Sequence, residues 1–166
     1  MKTQTFLVIV DETDEHLVAM RYAAQRAKAL QGRVALLYIV EPCGIEAWRG
    51  VEKAVLDEAF AEARKRMTTH EAFVHEVSGA EPLTFYRKGE SSSVLVDFIE
   101  EQEDITSIVL AARKKDDGRN PYVQYMMSDK GLKKLRIPCT VVPQVMRDAD
   151  VLGAVLGSTM SINPKR

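Results

Sequence analysis

The chain has 166 residues, 46% hydrophobic and 28% charged, with a formal net charge of -1. That length suits one domain with a full hydrophobic core, and the near-neutral charge excludes a general attraction to nucleic acid or anionic lipid. No apolar segment approaches the roughly 20 residues that a membrane-crossing helix needs, and no signal-peptide pattern opens the chain. The two cysteines, Cys43 and Cys139, make neither a disulfide framework nor a zinc-ligand spacing, so the cytoplasm is the expected compartment.

Residues 6–10, Phe-Leu-Val-Ile-Val, form a continuous apolar run, the pattern of a strand covered on both faces. The run stops at the capping residues Asp11, Glu12, Thr13 and Asp14. Leu17, Met20, Ala24, Ala27 and Leu30 recur at helical spacing and predict a helix over 15–30, stopped by Gly32. Residues 34–40 read as a second buried strand, closed by Glu41 and Pro42. An irregular connection over 43–50 contains Trp48, read as a cover for apolar surface rather than a stacking platform. A long helix follows, with Val51, Val55, Ala59, Ala63 and Met67 on one stripe and Leu56 and Phe60 beside it. Its register fades around Thr68, Thr69 and His70.

Residues 83–86 are the third strand, and the turn at 87–93 leads into a helix carrying Val94, Leu95, Phe98 and Ile99 inward. The run Ser91-Ser92-Ser93 at that helix start is read as plain N-capping, ahead of an anion site or a phosphoryl acceptor. Residues 107–111 are the fourth strand, followed by a basic loop over 112–121, a helical run over 122–135 and a short strand announced by Pro138. Strands alternating with helices at these lengths mean parallel βαβ units in a three-layer α/β/α sandwich. In such a sheet the loop after the fourth strand lies at the carboxyl edge, where α/β proteins bind ligands. Residues 1–143 form the domain, and 144–166, without sustained periodicity, read as a C-terminal extension ordered only if something receives it. His16, His70 and His75 fall on different elements and read as surface residues; no catalytic triad, metal cluster or acid/base pair is visible.

Several features, in order over residues 5–143, resemble the universal stress protein family. They are Asp11 closing the first strand with Thr13 after it, the Arg87-Lys88-Gly89 turn into an amphipathic helix, the Ile108-Val109-Leu110 strand, and the ending Ile137-Pro138-Cys139-Thr140-Val141-Val142-Pro143. The resemblance implies a Rossmann-like fold of the adenine nucleotide alpha hydrolase-like kind, a five-stranded parallel sheet in the order 3-2-1-4-5, and a homodimer. It places an adenine against Ile39 and Val40 and a contact to the nucleotide or its metal at Asp11. Members that bind ATP carry, after the fourth strand, a signature of two glycines separated by two residues, then nine residues to a third glycine followed by Ser or Thr. Glycines let backbone approach phosphate, and amides at a helix start receive the charge.

Aligned on that signature, the first two glycine positions fall on Ala111 and Lys114, the third on Met127, and the hydroxyl on Ser128. Lys115 to Met126 is twelve residues where the signature has nine, so the glycines are absent and the loop is longer. Arg113, Lys114 and Lys115 either offer side-chain charge to an anion or form a solvated turn balanced by Asp116 and Asp117. The expectation is therefore a non-enzymatic, stress-linked protein acting through protein partners, with no cofactor. It would be a homodimer through the edge strand from Cys139 to Val142, without nucleic-acid or membrane partners. The alternative is a switch that binds ATP or another adenine nucleotide through an altered site of Asp11, Ile39, Val40, Ala111, Arg113, Lys114 and Ser128.

Overall fold

Every residue of β1, Thr5–Val10, is buried, which is what a central strand covered on both faces requires. In the computed structural model, which describes residues 3–11, 13–41, 49–112, 120–147, 149–151 and 153, β1 lies between β2 (Arg33–Val40) and β4 (Ile105–Ala111). β3 (Leu83–Lys88) extends the sheet beyond β2, and β5 (Cys139–Val142) beyond β4. All pairs are parallel and the order is 3-2-1-4-5. The sheet reverses direction between β1 and β4, and that reversal opens a crevice at the carboxyl ends of the two strands.

The alternation of side chains along β1 divides the core into two faces. Phe6, Val8 and Val10 pack with Ala19, Met20, Ala23, Ala24 and Ala27 of α1 (Leu17–Leu30) and with Ala63, Met67 and Val74 of α2 (Arg49–Ser78). Leu7 and Ile9 face Leu95, Phe98 and Ile99 of α3 (Ser91–Glu101) and Met126 of α4 (Pro121–Met126). A 3-10 turn, Asp14–His16, joins β1 to α1.

Two helices differ from the sequence expectation. The second does not end near Thr68 to His70 but runs unbroken for 30 residues to Ser78. Apolar spacing resumes at Phe73, Val74 and Val77, which pack on the core, and this tertiary anchoring overrides the weak propensity of the threonines. A helix of that length spans about 45 Å, roughly twice a strand of this sheet, so only part of it can lie over the core. Val55, placed on the buried stripe by spacing, is accordingly 48% exposed. The run over 122–135 is likewise two short helices, α4 and α5 (Asp129–Lys134), broken at Met127 and Ser128. The beginning of the segment after Pro143 packs back on the domain. The Gln144 amide donates to the Glu15 carbonyl at 2.6 Å, Met146 lies against the core, and Val151 is fully buried. Among the described residues no helix is long and apolar enough to cross a membrane.

Candidate functional site

β1 delivers Asp11 to the crevice, and the Asp11 carboxylate organises the turn that follows. It accepts from the Thr13 amide at 2.8 Å and from the Thr13 hydroxyl at 2.6 Å, an Asx turn of the kind this residue type favours. It also meets His16 Nδ1 at 3.4 Å. Burial raises the Asp11 pKa, but the hydrogen bonds from His16 and Thr13 outweigh it, and the carboxyl titrates below its ordinary value.

His16 is no surface residue: it is 5% exposed, beneath the turn. Its Nε2 lies 3.3 Å from Nε2 of His70, which reaches it from the last third of α2. The rings meet edge to face at 89°, with centroids 4.8 Å apart. Because a carboxylate only accepts, Nδ1 of a neutral His16 carries the hydrogen and Nε2 presents a lone pair, which fits a hydrogen on His70 Nε2. Burial, reinforced by His16, holds the His70 pKa below that of an ordinary histidine. Asp11, Thr13, Asp14, His16, Arg66, Thr69 and His70 line an open pocket of about 260 Å³.

On the opposite side of the sheet a second polar cluster forms. Glu41, just past β2, accepts from the Ser91 amide at 3.2 Å and also from the Ser91 hydroxyl. The Tyr122 hydroxyl donates to Ser91 Oγ at 3.2 Å. Burial pushes the Tyr122 pKa up, and the charges of Glu41, Asp11 and Glu90 add to it against the Ser91 hydrogen bond, so this phenol stays protonated. The cap of α3 is Glu90 and not the serine run. Its carboxylate accepts from the amides of Ser92 and Ser93, at 3.1 and 2.9 Å, and from the Ser92 hydroxyl, and these bonds hold its pKa down to about 2. Asn120 closes the loop after β4: its amide nitrogen donates to the Ala111 carbonyl at 3.1 Å while its oxygen caps α4 at Tyr122 and Val123. Pro121 sits in the first turn, where its missing N–H is harmless.

The residues expected to hold a nucleotide have the following places. Asp11 directly follows β1, Ala111 ends the adjacent strand β4, and Ile39 and Val40 end β2. Ile39 packs on the α3 side of the sheet and Val40 on the α1 side, and the Val40 carbonyl already accepts from the Gly89 amide at 3.1 Å. Ser128 lies at the corner between α4 and α5. It donates to the Tyr125 carbonyl at 2.6 Å and accepts from the Gly131 amide at 3.1 Å. Met127 beside it is 72% exposed. Arg113 and Lys114, with Lys115, Asp116, Asp117 and Gly118, lie outside the described residues, as do Cys43 and Trp48. Spacing gave no means of pairing His16 with His70, which are 54 residues apart, or of joining Glu41 to Ser91 across 50.

This is a singly reversed, all-parallel α/β domain with polar clusters on both sides of its switch point. The chain belongs to the universal stress protein family, whose model matches residues 2–143. No curated protein matches it in sequence. Among solved structures it resembles the universal stress protein UspA from Lactobacillus plantarum, at 22% identity and a TM-score of 0.72, covering 86% of this chain and 99% of that one. It also resembles the universal stress protein from Archaeoglobus fulgidus in complex with dAMP, at 21% identity and a TM-score of 0.60, covering 85% and 98%. A universal stress protein in complex with cAMP is similar at 16% identity and a TM-score of 0.54, covering 87% and 99%. At these identities the structural likeness speaks for the fold.

Proposed function

We propose that this chain is a stress-response protein of the universal stress type that works in the cytoplasm as a homodimer, through protein partners, without tight ATP binding of the standard family kind. The observation that carries the reading is the state of Ser128, the one residue of the nucleotide signature the sequence retains. Its hydroxyl is occupied on both sides within the α4–α5 corner, donating to Tyr125 and accepting from Gly131. The preceding position holds methionine, a long side chain where phosphate would need bare backbone. Asp11 supports the same reading, since Thr13 and His16 already engage its carboxylate.

The second reading, an adenine-nucleotide switch with a modified loop, is favoured by the two similar structures solved with dAMP and with cAMP. One experiment separates them. The purified protein is denatured and any released nucleotide sought by mass spectrometry, and the native protein is then titrated calorimetrically with Mg-ATP, dAMP and cAMP. No released nucleotide and no micromolar binding is the expected result. Stoichiometric release, or micromolar binding that Ser128→Ala weakens, establishes the switch instead.

A further inference from the structure

We propose that His16 and His70 form a binding site for a divalent late first-row transition metal, zinc above all, at the turn after β1. Bound to two imidazoles with bonds of about 2.0–2.1 Å at a tetrahedral angle, zinc holds their nitrogens about 3.3–3.4 Å apart. The two Nε2 atoms stand 3.3 Å apart without a metal. The rings meet edge to face, with centroids 4.8 Å apart, and both imidazoles line the same open pocket. Asp11 supplies the supporting contact that metal-binding histidines ordinarily have. By accepting from His16 Nδ1 it fixes the tautomer and leaves the Nε2 lone pair available.

The surroundings suit an exchangeable ion. His16 is buried and preset, while His70 is half-buried on the stable frame of α2. The pocket that both line is large enough for several waters, and Asp14 lines it too, a carboxylate for charge balance. Among the described residues no group of three histidine, cysteine or acidic side chains is assembled for a metal; the proposed site is the histidine pair, with water completing the shell. Two protein ligands are fewer than the three or four of most zinc sites, so affinity is moderate and more than one coordination position is left to water. Metal on His70 Nε2 requires the tautomer with its hydrogen on Nδ1, so the hydrogen of the metal-free pair passes from Nε2 to Nδ1 by exchange with water. Affinity falls as pH drops, because protons compete with the metal for the imidazole nitrogens.

The test uses the full chain, stripped with EDTA and titrated with zinc against a chromophoric chelator. The expected result is one equivalent bound per chain in the micromolar range, with cobalt(II) showing the visible bands of a tetrahedral site. His70→Ala, at a half-buried helical position, should abolish that equivalent while the protein stays folded by circular dichroism. Asp11→Asn should weaken it by about 10- to 100-fold. His75→Ala, which alters only a surface pair with Glu81, should leave it unchanged. Absence of a saturable equivalent in the wild type overturns the site. Zinc binding that survives His70→Ala overturns it equally, by placing the metal elsewhere. Thermal unfolding gives an independent readout: zinc should raise the Tm of the wild type and not that of folded His70→Ala.

Discussion

Glu90 caps α3 with a carboxylate, an uncommon choice, and hydrogen bonds from the Ser92 and Ser93 side chains, with those from their amides, hold its pKa down to about 2 against an ordinary value of 4.5. Glu90→Ala should therefore lower stability by about 0.5 kcal/mol near neutral pH, at the low end of the capping range because this exposed group is screened by solvent. The sign of the pH dependence follows from the depressed folded-state value. The carboxylate's contribution is complete above about 4.5 and is lost as pH falls toward about 2. Chemical denaturation of both proteins at neutral and acidic pH checks this, and a stability gap that stays constant down to the acid limit would exclude the charged cap. The three serines that follow are good cap formers by type, and they drew the sequence reading one position too far. The histidines were lost for a different reason. A contact between a turn and a helix 54 residues away leaves no local pattern, because each histidine separately looks like an ordinary polar residue at the end of an apolar stripe.

At the scale of elements, the strands were legible because burial on both faces leaves continuous apolar runs that nothing else explains. The corner between α4 and α5 was not, since no proline interrupts the run and Met127 and Ser128 fit a helix well enough. What breaks it is close backbone packing at Gly131, where a Cβ would lie 2.1 Å from the Tyr125 carbonyl oxygen. That oxygen is also the acceptor for Ser128, so neither backbone nor cap can yield without losing the other. Gly131→Ala should consequently destabilise the protein by about 1–3 kcal/mol, the range for forced overpacking. Leu132→Ala, one residue on and 64% exposed, should change stability by less than about 0.5 kcal/mol. Denaturant unfolding of the pair tests the corner directly; equal stabilities would mean that α5 shifts freely and that the fixed geometry of Ser128 has been overvalued.

For the whole molecule, the order 3-2-1-4-5 leaves β3 and β5 as the two edges, and they are protected differently. β3 ends in Arg87 and Lys88; the Thr84 hydroxyl donates to Glu71, while Arg64 and Arg87 lie over the rings of Tyr86 and Phe98. β5 has no comparable cover among the described residues: Cys139 and Val141 are exposed, Val141 by 43%, and only Val142 is fully buried. An apolar edge with unpaired backbone groups is a template for another chain, and a two-fold axis would let two copies satisfy both edges at once. We therefore expect a dimeric mass by light scattering at micromolar concentration. Val141→Lys, a charge of the kind natural edge strands use to refuse pairing, should shift that mass to the monomer while circular dichroism keeps the fold. A wild-type monomer would remove the dimer from the functional reading. A Val141→Lys protein that remains dimeric would instead move the interface away from β5, leaving that edge to the chain beyond Pro143 or to a different protein.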